Sequence, residues 1–230
     1  MVEKLGKFQA IMIVNIFIQA RMSSSRYPGK VLAPVSGIPL VKHIIDRVRK
    51  INNKDKIVVL TSAQTSDDPL AAFLTSINCL VYRGSLDDVF DRFQKALDEY
   101  PCDYFVRLCA DSPFIDTCLV QLLIEKTVST GSDFISNVFL RTFPKGQSVE
   151  IIKSDLFKKI SNDMLDDYEH EHVMPYFYKN KNQYKSLFFG LSKDLSHVSQ
   201  CIDTVEDLKN IESKKPEYFF NEKELCLLSV

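Results

Sequence analysis

The amino-acid sequence predicts an α/β fold, a mostly parallel sheet with helices on both faces. Three observations carry this expectation. Between residues 11 and 130, runs rich in β-branched apolar residues alternate four times with stretches of helical spacing. The runs are apolar on both faces, as strands sandwiched between helix layers must be. The chain has 230 residues, 45% of them apolar, which is enough for one large core. Residues 1–10 read as a loose leader and 11–230 as a single domain, within which 130–190 forms a smaller portion.

The first run, "IMIVNIFIQA" (11–20), reads as a strand buried on both faces. After a polar loop, "PLVKHIIDRVRKI" (39–51) puts Leu40, Ile44, Val48 and Ile51 on one helical face, with Pro39 suited to the first helical position. "KIVVLTS" (56–62) is a second strand, and "SDDPLAAFLTSI" (66–77) a helix opened by cap-type residues and Pro69. "CLVYRG" (79–84) is a third strand. "SLDDVFDRFQKALDEY" (85–100) is a helix with Ser85 as its expected N-cap and Asp88 at the third position. "DYFVRLCA" (103–110) is a fourth strand, followed by a helix from about Thr117. Beyond 130 the rhythm changes. "DFISNVF", "SVEIIK" and "YKSLFFG" are strand-like, "KSDLFKKISND" and "DDYEHEHVMPYFYKN" helix-like, and "VSQCIDTVEDLKNIESK" a strand end running into a helix. The portion 130–190 is expected to be antiparallel and helical. Its aromatic cluster "PYFY" (175–178) reads as core or subunit contact, since no basic residues interleave it as a stacking platform for single-stranded nucleic acid needs.

Composition excludes several classes. The net charge is −1, so no global basic field argues for nucleic acid as a partner. Six cysteines occur without a CxxC pair, which argues against zinc and thioredoxin-like chemistry and for reduced, mostly buried thiols in the cytoplasm. The apolar run at 11–20 is too short to span a bilayer and lacks a small-residue cleavage site, so neither a membrane partner nor a signal peptide is expected.

Chemistry concentrates in the loop after the first strand, "IQARMSSSRYPGK" (18–30). In open α/β sheets ligands bind at the carboxyl ends of strands. There Arg21, Arg26 and Lys30 supply cations, and Ser23, Ser24 and Ser25 supply hydroxyls and accessible backbone N–H groups. Guanidinium forks grip phosphate oxygens in pairs and a lysine acts as a point charge, so a triphosphate suits the loop. Neither GxxxxGK[ST] nor GxGxxG is present. The competing reading is an ordinary charged surface loop. Asp111, at the end of the fourth strand, and Asp203, at a later turn into a helix, offer oxygens of the kind Mg²⁺ takes. Each also has a plain reading, as turn former and helix-entry residue. Thr204 and Asp207 can cap that helix without Asp203. In "YEHEH" the spacing of His170 and His172 does not fit a metal pair on a helix.

These segments together resemble the cytidylyltransferases that make CMP-activated sugar acids, and most closely their spore-coat polysaccharide branch. The opening loop is similar to that family's Ala-Arg-x-Gly-Ser-x-Arg-x-Pro-x-Lys motif, with Ser23 in place of glycine. "YRGSLDDVFDRFQKAL", "FVRLCADSPFID", "PKGQSVEII", "YEHEHVMPYFY" and "CIDTVEDLKNI" resemble further family segments in the same order, with Ala110 replacing another usual glycine. The resemblance covers roughly residues 12–212. It implies a Rossmann-like nucleotide-diphospho-sugar transferase fold, with 130–190 as a small acceptor-binding and dimerisation lobe. It implies Mg²⁺-dependent transfer of CMP from CTP to a sugar acid with release of pyrophosphate. Arg21, Lys30 and Asp111 become the expected catalytic residues and Asp111 and Asp203 the metal ligands. Arg21, Ser23, Ser24, Arg26, Lys30, Thr61 and Arg83 are expected at the nucleotide. Arg107, Glu150, Glu171 and His172 are expected at the acceptor. A homodimer is the expected assembly. A glycosyltransferase of the same fold and a non-catalytic polysaccharide-pathway protein remain as alternatives.

Overall fold

The computed structural model describes residues 12–51, 56–213 and 220–228; the expected leader at 1–10 lies outside them. The chain opens with β1 (Val14–Gln19), the hairpin β2 (Pro34–Val35) and β3 (Ile38–Pro39), and α1 (Leu40–Val48). Next come β4 (Ile57–Ser62), α2 (Asp68–Ser76), β5 (Leu80–Gly84), α3 (Val89–Glu99), β6 (Tyr104–Cys109) and α4 (Thr117–Thr130). The remainder holds β7 (Phe134–Ser136), β8 (Glu150–Lys153), α5 (Ser154–Lys158), α6 (Asp167–Glu171), α7 (Pro175–Lys179), β9 (Ser186–Leu191), α8 (Val205–Ser213) and β10 (Leu225–Leu227).

Eight strands form one sheet in the order β10-β9-β7-β8-β6-β1-β4-β5. The four strands expected from residues 11–110 are all parallel: β1 pairs with β4 on one side and β6 on the other, and β4 pairs with β5. The segment 130–190 adds β7, β8 and β9 to the same sheet. Of these, β8 runs antiparallel to both β6 and β7, while β9 is parallel to β7. The central place of β1 explains its unbroken apolar character. Ile16 and Ile18 face one core with α1 and α4, while Phe17 faces an aromatic core built on α3, α5 and α7. Phe17 stacks on Phe105, and Phe90 on Phe157 with 4.2 Å between ring centroids. Phe177, from the "PYFY" cluster, is fully buried in that layer. Asn15, the one polar interruption of β1, is satisfied: its amide donates to Tyr100 O at 3.0 Å and accepts from Lys56 N–H at 3.0 Å.

Several local expectations are corrected. The N-cap of α3 is Asp88, which accepts from Asp91 N–H at 2.8 Å; Ser85 Oγ instead accepts from Asp88 N–H in the preceding turn. Pro39 ends β3 as the cap of α1 rather than opening the helix. The helix expected across 166–180 is two short ones: the backbone turns extended at His172 (φ −119°, ψ 111°), and Pro175, which has no N–H to donate into a preceding turn, opens the second helix at its first position. Residues 198–203 form no strand; a single bridge joins Lys145 and Ser199. The β2–β3 hairpin has no clear strand signature in sequence. Its turn residues Ser36 and Gly37 both take positive φ, 50° and 81°, the twist that two-residue hairpins require. All six cysteines are free thiols, but against the expectation of mostly buried thiols Cys79 alone is buried, Cys118 is exposed and the other four are half-buried. Among the described residues no helix is long and apolar enough to cross a membrane.

Candidate active site

The chain leaves β1 toward β4 and β5, then returns through α3 to β6 on the opposite side of β1. The carboxyl ends of β1 and β6 therefore flank the point where strand order reverses, where such sheets leave a crevice. A cavity of about 300 Å³ opens there, lined by Gln19, Arg21, Ser24, Ser25, Arg26 and Lys30 from the β1 side. Cys109 at the end of β6, Asp111 just after it, His172 from the α6–α7 connection, and Asp203 line its other side.

Local folding explains how residues so distant in sequence meet. Gly29, at φ 77°, turns the loop so that Lys30 enters a short helical turn with its side chain only 9% exposed. Lys30 Nζ donates to Asp203 Oδ1 at 2.8 Å and to Asp111 Oδ2 at 3.2 Å. Arg26 reaches the other oxygen of Asp203 at 3.0 Å. Ile202 N–H donates to Asp111 O at 2.9 Å, which lays the Asp203 segment directly against the end of β6. Ile202 also packs with Val35, Leu40 and Ile211, so a small apolar cluster pins this segment to the hairpin that follows the basic loop. The cap of α8 is made reciprocally by Thr204 and Asp207: Asp207 accepts from Thr204 N–H at 2.8 Å, and Thr204 Oγ1 accepts from Asp207 N–H at 3.1 Å. That frees the Asp203 carboxylate for the cavity. Gly146 matters to the same segment. At φ 96° it lies so close to Gln200 that an added Cβ would come within 2.9 Å of that backbone. Ser23 takes no positive φ, so serine suits the backbone where the resembled motif has glycine.

The cluster is electrostatically balanced. Burial works against the charge on Lys30, but Asp111 and Asp203 outweigh it and raise its pKa above the usual lysine value. Burial pushes the Cys109 thiol up to about 11 and Cys201 up to about 12, so both stay neutral at physiological pH. Asp111 and Asp203 present oxygen only, each about a quarter to a third exposed. No group of three or more His, Cys, Asp or Glu side chains able to hold a metal occurs among the described residues. A hard divalent cation fits this pair, taking its remaining ligands from substrate phosphates and water.

Other expected site residues lie elsewhere. Thr61 is fully buried within the sheet. Arg83 donates to Ser62 O and Gln64 O and pairs with Asp68 at 2.7 Å, bracing the β4–α2 turn rather than lining the cavity. Ser23 does not line it either. Arg107 and Glu150 face each other in register on β6 and β8 and form a salt bridge, with Glu150 only 3% exposed. They pair with one another, Arg107 also donates to Gln19 Oε1 at 3.0 Å, and neither lines the cavity. Glu171 lies 3.9 Å from Arg21 and borders a neighbouring hollow with Asp87, Asp88, Asp167 and His170. His170 does not pair with His172; its Nδ1 lies 2.9 Å from Asp88 Oδ2.

Two residues escaped the sequence reading. Asp67, fully buried, accepts from Met22 N–H at 2.6 Å, from Ser62 N–H at 3.0 Å and from Ser62 Oγ–H, tying the basic loop to the end of β4. Arg92 is wholly buried on α3 and donates to Ser85 O at 2.9 Å, while its Nε and one Nη have no partner among the described residues. Three residues after Val89 on a helix of charged and apolar residues, Arg92 has no sequence signal that sets it apart from an exposed helical arginine.

A crevice at the reversal point of an α/β sheet, rimmed by three cationic side chains and two carboxylates, has the chemistry to take a nucleotide. Comparison with known proteins makes this specific. The family model described as Cytidylyltransferase matches residues 15–229. The spore coat polysaccharide biosynthesis protein SpsF of Bacillus subtilis is 32% identical over 207 residues, covering 87% of this chain and 85% of SpsF. A cytidylyltransferase structure from Leptospira borgpetersenii superimposes with a TM-score of 0.83 at 32% identity, covering 88% of this chain and 86% of the other. The 8-amino-3,8-dideoxy-manno-octulosonate cytidylyltransferase of Shewanella amazonensis is 29% identical over 119 residues, half of this chain and 47% of that enzyme. The chain belongs to the cytidylyltransferase family and is an enzyme of that class.

Proposed function

We propose that the protein transfers CMP from CTP to a sugar acid, releasing pyrophosphate, in the making of a surface polysaccharide or related glycan. The observation that carries this reading is the meeting of Lys30 with Asp111 and Asp203 in one cavity beside Arg21 and Arg26. Similarity to SpsF supports the polysaccharide setting, and similarity to the octulosonate enzyme supports a sugar acid as acceptor. Arg21, Arg26 and Lys30 hold the triphosphate and offset the charge that builds on departing pyrophosphate. The walls of the crevice align the acceptor hydroxyl with the α-phosphorus. Asp111 and Asp203 are the residues that would hold Mg²⁺, which when bound supplies charge neutralisation at the phosphates. His172 and Glu171 belong to the acceptor side. The exposed Leu140, Met164 and Tyr168 of the 130–190 portion supply apolar surface for a homodimer contact.

The test is pyrophosphate release with each of four nucleoside triphosphates against a panel of sugar acids, with and without Mg²⁺. CTP- and metal-dependent release is expected, lost in Asp111→Asn. A glycosyltransferase or a non-catalytic protein releases no pyrophosphate; turnover in Asp111→Asn at the parental rate removes that residue from the metal site.

A further inference from the structure

Gln19 is the last residue of β1 and lines the cavity two residues before Arg21, the first cation of the basic loop. Its amide has two chemically different ends, and the surroundings decide which end faces the ligand. Arg107 Nη2 donates to Gln19 Oε1 at 3.0 Å. A guanidinium has donors and no acceptor, so only the carbonyl end of the amide can face Arg107. The Nε2 amino group is thereby turned away from it. Among the described residues Nε2 makes no hydrogen bond.

The orientation is reinforced from behind. Arg107 is held by Glu150 across the β6–β8 register, and Glu150 also accepts from the Tyr178 hydroxyl. Ser136 Oγ lies 2.7 Å from that hydroxyl. Glu150 is buried and Tyr178 half-buried, and the linked hydrogen bonds from Ser136 through Tyr178 and Glu150 hold the Arg107 guanidinium in place, with its Nε left without a partner among the described residues. This also explains why a sheet of this kind tolerates an arginine and a glutamate in its interior.

We propose that Gln19 is a substrate-binding residue of this enzyme, an amide locked with its N–H donors toward the cavity to hold an oxygen of the bound nucleotide. Arg107, Glu150 and Tyr178 are positioning residues that act through it. The proposal rests on the nucleotide reading given above. The choice of nucleotide follows from continuity: Gln19 and Arg21 share a wall with Ser24, Ser25, Arg26 and Lys30, so a nucleotide whose phosphates occupy that loop passes Gln19. The oxygen can come from a phosphate or from the nucleoside.

Calorimetry on the full chain separates these, using CTP and inorganic tripolyphosphate as probes with Mg²⁺ present. Gln19→Met keeps the length of the side chain and removes the donor. A roughly three- to tenfold rise in Kd for CTP is expected, the scale of one hydrogen bond. An equal rise for tripolyphosphate assigns the contact to a phosphate oxygen; a rise for CTP alone assigns it to the nucleoside. Gln19→Glu pairs with Arg107 and presents no donor, and is expected to weaken CTP more than Gln19→Met does. Arg107→Met is expected to reproduce the loss, with partial recovery in Arg107→Lys, which can still donate to Oε1. Thermal melting identifies any variant that fails to fold, and Tyr178→Phe gives a milder perturbation of the same chain. CTP affinity unchanged in folded Gln19→Met and Gln19→Glu overturns the proposal. Failure of the parent protein to bind CTP at all overturns the nucleotide reading on which it rests.

Discussion

Replacing Lys30 by methionine tests the centre of the site. The substitution keeps a buried alkyl chain and removes an ammonium that donates to Asp203 at 2.8 Å and to Asp111 at 3.2 Å. Hydrogen bonds to charged groups each contribute about 1.5–3 kcal/mol when fully enclosed. Here both carboxylates are about a quarter to a third exposed, so water re-solvates them once the lysine is gone. The expected cost to folding is therefore small, about 1–2 kcal/mol for the pair of contacts. Nucleotide binding should suffer more, because the phosphate loses its most enclosed cation. A lost charge-assisted contact of about 1.5–3 kcal/mol corresponds to roughly a ten- to 150-fold weaker Kd for CTP. A second effect has the opposite sign. With no ammonium between them, Asp111 and Asp203 should attract a divalent cation more strongly in the absence of nucleotide. Calorimetric titration with CTP, and separately with Mn²⁺, reads both. CTP affinity within twofold of the parent, in a protein that melts normally, would refute the assignment of Lys30 to the phosphates.

Two further outcomes follow from the surrounding structure. Burial opposes the ionised form of Asp67, but hydrogen bonds from Ser62 and from Met22 N–H outweigh it and hold its carboxyl below the ordinary value of 3.8. Because the folded value is the lower one, its stabilisation is present above pH 3.8 and is lost as pH falls through the folded value. Asp67→Asn should cost about 1–3 kcal/mol in urea unfolding at pH 7 and weaken CTP binding by loosening the loop. The gap from the parent should narrow in strong acid; a constant gap down to the lowest pH contradicts this. Arg92 is pushed down to about 10 by burial and by the neighbouring Arg21 charge, so it remains a buried cation at neutral pH. Its two unpartnered nitrogens make that charge a cost to folding, and Arg92→Met should leave the melting temperature unchanged or raise it. A fall of more than about 2 kcal/mol in unfolding free energy shows that the guanidinium stabilises the fold after all.

Much of this was legible in the chain before any coordinates. Alternation of apolar β-branched runs with helical spacing over 11–130 depends only on local periodicity, and β1, β4, β5 and β6 lie within a residue or three of where that periodicity puts them. The basic loop was visible because its residue types are unusual side by side, and Asp111 because it ends a strand. What was not legible depends on register and packing. Arg107 and Glu150 are 43 residues apart, and only the antiparallel β6–β8 pairing sets them opposite each other. Asp67 looked like one of several cap residues before α2; its contact with Met22 N–H, 45 residues away, exists only in the folded loop.

Sequence by itself thus determined the strand–helix alternation of residues 11–130, its parallel order and the chemical inventory: cations on one loop, carboxylates at two later turns. These follow from steric preference and apolar periodicity, which act between near neighbours. The tertiary structure decided which groups share a cavity and which neutralise one another. Burial makes an unpaired charge expensive, and pairing depends on strand order and on segments brought together from far apart in the chain. For that reason Lys30 meets Asp203 across 173 residues, and Arg107 turns away from solvent to fix an amide.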